Sequence, residues 1–162
     1  MKKLRQKLKS RRGPTLVELA AAAAVLSLLA LMLNTGLTMA QNSYNKMTGE
    51  AESQLLLSTL TDLISHELRY ARDVVTDDGG ALKRYTSVSY GRNTTLTINA
   101  EGQLEASDRL MLTTGAYGNG AYSIDSWSVV YHGGVFDVTL GVEGRYGISN
   151  ETTFSVRCLN GS

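Results

Sequence analysis

The stretch that decides the fold is "RRGPTLVELAAAAAVLSLLALMLNTG", residues 11–36. It joins the end of a basic leader to a long apolar run, and it places one carboxylate, Glu18, inside the start of that run. From Thr15 to Leu33 no other side chain is ionisable. At about 1.5 Å per residue, such a run makes a helix of roughly 28 Å, close to the hydrocarbon thickness of a bilayer. The segment is therefore long enough to cross a membrane as a single helix.

The charge on either side gives the crossing a direction. Lys2, Lys3, Arg5, Lys7, Lys9, Arg11 and Arg12 all precede Gly13, and no acid does. That excess holds the N-terminus in the cytoplasm and sends the chain after Leu33 to the other side. Without those seven, 9 of the 16 basic side chains remain against 15 acidic ones, a net charge of −6. An acidic remainder gives no support for non-specific nucleic-acid binding, which depends on cationic contacts to phosphate. Cys158 is the only cysteine, which excludes an intrachain disulfide and a thiolate metal cluster, and it reads as a small buried strand residue.

Glu18 is the residue that needs a reason. A carboxylate in lipid is costly and is read by default as functional, with a partner to be found. No Lys, Arg or His lies in the apolar run, so the partner is a chain terminus, another subunit or water. A cut after Gly13 would create an amine on Pro14, about one helical turn from Glu18. The positive end of the helix dipole favours the same charge. A secretory signal peptide cleaved near "NTG" or "LTMA" is the alternative, but its apolar region is usually shorter than this one.

"RRG" followed by "PTLVEL" resembles the class III signal of type IV prepilins and pseudopilins: a basic leader ending in Gly, then a short apolar stretch with Glu at the fifth mature position. The resemblance implies cleavage between Gly13 and Pro14 by a prepilin peptidase, with methylation of the new amine. It implies filament assembly through Thr15, Leu16, Val17, Glu18 and Leu19, with Glu18 paired to a neighbour's amine. The implied partners are the prepilin peptidase, other pilin or pseudopilin subunits, a membrane assembly platform and the lipid bilayer. One departure stands out, because the family usually has Phe where this chain has Pro14. Proline gives a secondary amine and a constrained scissile bond, which fits slower processing and a minor subunit. Its fixed φ nevertheless suits the first turn of a helix.

The helical pattern continues past Gly36. Leu56, Leu60, Leu63, Ile64, Leu68, Ala71 and Val75 recur at spacings of three and four, and "TDDGG" at 76–80 reads as the stop. A helix from Pro14 to Val75 would be about 93 Å long, with Gly36 as its weak point. Beyond Gly80, "YTSVSY", "TTLTINA", "RLMLTT", "SWSVVYHG", "VFDVTLGV" and "TTFSVRCL" are strand patterns, with turns at "YGRN" and "HGG". In "VFDVTLGV", Phe136, Val138, Leu140 and Val142 share the face expected to pack on the helix. The expected class is α+β: one long N-terminal helix, transmembrane in its first half, against a C-terminal antiparallel sheet. Its parts are a leader at 1–13, a transmembrane and assembly helix at 14–34, an amphipathic continuation at 35–78 and an extracytoplasmic sheet domain at 79–162.

No catalytic, metal or cofactor site emerges from the residues. His66 and His132 lack metal-ligand spacing, and Ser65, His66 and Glu67 are helix neighbours that point in different directions. The Gly-rich "TTGAYGNGAYS" at 113–123 lacks a phosphate-cradle pattern and reads as a mobile surface loop, with tyrosines suited to contact. Asp77 and Asp78 lack the further oxygens of a calcium loop. The expected function is a structural subunit of a pilus or pseudopilus, resident in the cytoplasmic membrane and then in a filament serving secretion, DNA uptake, adhesion or motility. A signal-anchored extracytoplasmic binding module is the alternative.

Overall fold

The computed structural model describes residues 15–160. The chain divides into two compact units, Met1–Tyr44 and Asn45–Ser162. Helix α1, Leu16–Arg69, supplies all the regular structure described in the first unit and opens the second. It is long and apolar enough near the N-terminus to cross a membrane. After it, among the described residues, come nine strands: β1 Arg72–Thr76, β2 Leu82–Ser87, β3 Gly91–Thr94, β4 Leu96–Ile98, β5 Leu104–Ala106, β6 Arg109–Leu110, β7 Ser123–His132, β8 Val135–Gly144 and β9 Ile148–Arg157. They form three antiparallel sheets in sequential order, β1-β2-β3, β4-β5-β6 and β7-β8-β9, rather than the single sheet the sequence suggests. Backbone bonds stitch the sheets together: Ile124 N–H donates to Gly102 O at 2.7 Å and Tyr131 N–H to Gly80 O at 2.8 Å.

The strand alternation places the core. Phe136, Val138, Leu140 and Val142 are fully buried, and their core includes Leu56, Leu60, Ile64 and Leu68 of α1. Each side chain so removed from water contributes about 1.5–3 kcal/mol. Helix and third sheet also share a polar pin, since Asn150 Nδ2 donates to the buried Ser53 Oγ at 3.1 Å. The β7–β8 hairpin turns on Gly133 and Gly134, both at positive φ, so the expected "HGG" turn is present. The other expected turn lies slightly earlier than "YGRN", because Ser87 pairs with Gly91 and residues 88–90 make the bend.

Three expectations about the helix are corrected. It ends at Arg69, so Ala71 lies beyond it and Val75 belongs to β1. The spacing of Ala71 and Val75 mimics a helix, but Asp73 adopts φ 48°, and residues 72–76 pair with β2 through two irregularities. Asp tolerates that left-handed conformation better than most residues. "TDDGG" is consequently the β1–β2 turn, with Asp77 Oδ1 accepting from Gly79 N–H at 3.0 Å and Ala81 N–H at 2.8 Å. The helix terminus is closed instead by residues 158–160: Leu159 N–H donates to Arg69 O at 2.8 Å, Asn160 Nδ2 to Tyr70 O at 3.3 Å and Cys158 Sγ to Ala71 O at 3.2 Å. These donors satisfy carbonyls at and just beyond the helix terminus. Finally, Asn34, Thr35 and Gly36 do not interrupt α1. The hydroxyls of Thr35 and Thr38 donate back to Leu31 O and Asn34 O at 2.9 Å, so the polar stretch is accommodated within the helix.

Candidate functional site

The N-terminal end of α1 is built by its own first residues. Thr15 stands at the N-cap: its Oγ1 accepts from Glu18 N–H at 3.3 Å, and its carbonyl accepts from Leu19 N–H at 3.0 Å. Thr15 and Glu18 thus occupy the two positions of a capping box, three residues apart. The hydroxyl half of that box is formed. Among the described residues, the Glu18 carboxylate takes no side-chain hydrogen bond, so it can meet a charge from outside the helix. Gly13 and Pro14, the expected cleavage site, lie outside the described residues.

Around Glu18 the surface is apolar and uncovered. Leu16, Val17 and Leu19 are 84%, 75% and 65% exposed, and every described residue up to Thr48 is exposed. An uncovered apolar surface of this extent on a folded protein marks contact with lipid or with other protein. Ser27 Oγ donates to Ala23 O at 2.8 Å, so the one hydroxyl in mid-run is satisfied inside the helix, as a lipid environment requires. The stretch Ala20 to Ala24 offers small side chains that let a second helix backbone approach closely.

The other residues weighed for chemistry do not converge. His66 is exposed and stacks obliquely on Tyr70, with ring centroids 5.4 Å apart, while His132 closes β7. Among the described residues, no group of three metal-binding side chains assembles. The Gly-rich 113–123 segment is more than a surface loop, because two of its tyrosines are anchors. Tyr117 is fully buried and accepts Leu104 N–H at 3.0 Å. Tyr122 donates to Glu52 Oε2 at 2.6 Å, and burial together with that carboxylate pushes its phenol up to about 12. Its ring lies so close to Gly144 that a Cβ there would come within 2.5 Å.

Glu67, weighed in the sequence only as a neighbour of Ser65 and His66, proves to be buried. Glu67 is 6% exposed and turned inward, and its Oε1 accepts from Ser87 Oγ and, at 3.3 Å, from Tyr85 OH. Burial first, and then the Glu67 charge, raises the Tyr85 phenol far above its ordinary range. The available signal was positional. Glu67 falls on the buried stripe of Gly49, Ser53, Leu56, Leu60, Ile64 and Leu68, where an acid is out of place.

Fold and site together define an α+β protein with one membrane-compatible helix among the described residues. No family model, characterised protein or solved structure matches this chain.

Proposed function

We propose that the protein is a structural subunit of a type IV pilus or a type II secretion-like pseudopilus. In this reading, prepilin peptidase cuts after Gly13 on the cytoplasmic face, and the mature chain waits in the membrane with its sheet domain outside. Extraction into a filament then replaces lipid by neighbouring helices along the apolar part of α1. Glu18 sets the register by pairing with the amine of a neighbouring subunit, and a mismatch leaves a carboxylate unpaired in an apolar environment. The platform and other subunits are the partners this route needs.

The observation that carries the proposal is the capped start of α1, where Thr15 fixes the first turn and Glu18 stands among exposed Leu16, Val17 and Leu19. Replacement Glu18→Ala tests it: the expected outcome is normal membrane insertion and little sheared filament. Abundant filaments from that variant would sink the assembly role.

The anchored binding module remains the second reading, favoured by one feature. A cleft of about 380 Å³ lies between Glu52, Leu55 and Thr59 of α1 and Gly115, Gly118 and Tyr122 of the Gly-rich segment. That reading expects an uncut leader and a monomer.

A further inference from the structure

Glu67 combines properties that a purely structural carboxylate does not need. Its recorded partners, Ser87 and Tyr85, are hydroxyls rather than cations, although a buried charge is ordinarily paired. Both hydroxyls converge on Oε1. Among the described residues, Oε2 accepts no hydrogen bond, and no sealed side-chain oxygen is left without a partner, so Oε2 is reached from outside. Glu67 also lines a cleft of about 260 Å³, together with His66, Tyr70, Val88 and Ser89. The volume suits one side chain rather than a large ligand.

The Glu67 carboxylate and the helix end suit a positive guest in that cleft, set against the basic His66 and Arg69 of the same last turn. Glu67 lies in the last turn of α1, where the helix dipole adds to its negative charge. The tilted His66 and Tyr70 rings form an aromatic wall, and a Tyr face attracts a cation. The donor set argues against a metal, since one carboxylate and hydroxyls do not make the oxygen cage that a hard divalent ion takes. Val88, 74% exposed at the rim, supplies apolar contact for an alkyl stem.

We propose that the Glu67 cleft is a binding site for an alkylammonium or guanidinium group. Oε2 takes the charge, while Tyr70 and Val88 cover the stem. Such a group comes either from a free amine or from a lysine or arginine side chain of a neighbouring protein. The site is independent of Glu18 and of the membrane run, so it stands or falls apart from the filament reading.

The built-in reporters are Ser89 and Tyr90, whose N–H groups donate to Ser87 Oγ at 3.0 and 2.9 Å and so connect the 88–90 turn to Glu67. The test is a titration of the full chain in detergent with n-butylammonium chloride, following the amide resonances of Tyr70, Ser89 and Tyr90. Sodium chloride at matched ionic strength and n-pentanol serve as controls. The expected result is a saturable shift with butylammonium alone, weakened at least about tenfold by Glu67→Gln, which keeps the shape and removes the charge. A response to pentanol equal to that of the cation, or no saturable response, would overturn the proposal without needing a variant that folds. An unchanged affinity in folded Glu67→Gln would overturn it as well. A Gly-Lys-Gly peptide with blocked termini separates the sources: binding at least as tight as butylammonium supports a protein side chain, and exclusion of the peptide supports a free amine.

Discussion

Residues 16–48 and 49–69 of α1 belong to one uninterrupted helix and face different surroundings. In the first stretch every residue is exposed, although Leu, Ala, Val and Met dominate it up to Leu33. In the second, Gly49, Ser53, Leu56, Leu60, Ile64, Glu67 and Leu68 are buried, and two of those seven carry polar groups. Apolar content therefore does not decide what the chain buries within itself. Periodicity decides it: a stripe at spacings of three and four packs on a sheet, while a helix apolar all round is left to lipid or to other helices.

The strongest way to break this contrast is to truncate one leucine in each stretch. Leu60→Ala should destabilise the folded unit by about 2–5 kcal/mol, and Leu28→Ala by less than about 0.5 kcal/mol. Denaturant unfolding in detergent, followed by the fluorescence of Trp127, which packs on the core, measures both. Equal losses would erase the distinction.

Tyr117→Phe should cost about 1–3 kcal/mol in the same assay, because it strands the buried N–H of Leu104. That loss would establish the Gly-rich segment as part of the core framework. Its neighbour Tyr122 adds a pH signature. Removing its bond to Glu52 through Tyr122→Phe should cost roughly 1.5 kcal/mol near neutrality. The phenol is raised from 10.0 to about 12 in the fold, so its protonated form is the stabilising one. The contribution is fully present below the unfolded value and is lost as pH rises from about 10 through 12. The difference between wild type and Tyr122→Phe should therefore shrink across that window, and a constant difference would show that the hydrogen bond is not its source.

A stabilising change is expected at Gly36, where an added Cβ meets nothing. Gly36→Ala should firm the exposed stretch by about 1 kcal/mol, read as slower amide exchange around residue 36. No slowing would mean that neighbours, not propensity, hold that stretch.

Much of the fold was legible because its signals are local. The alternation through Phe136, Val138, Leu140 and Val142 named the buried face of β8 correctly, and Leu56, Leu60, Ile64 and Leu68 named that of α1. The helix end was not legible, since the donors that close it at Arg69 come from residues 158–160, about ninety positions away. The division into three sheets also depends on pairing rather than propensity. The burial of Glu67 was legible from its place on the helix stripe, whereas its partners, 18 and 20 positions distant, were not. At the start of α1 the signal was local but unread: Thr15 and Glu18 stand three apart, the spacing of a capping box, and only the structure shows the Thr15 hydroxyl accepting the Glu18 N–H.

We propose that the acid at the start of α1 belongs to a processed, filament-forming helix. The most direct test is the mass and N-terminal sequence of the membrane-extracted protein, from cells with and without a prepilin peptidase. A mature chain beginning at Pro14, with an altered N-terminal amine, is expected only when the peptidase is present. A chain that keeps residues 1–13 in both cells, or one cut beyond Leu33, would contradict it.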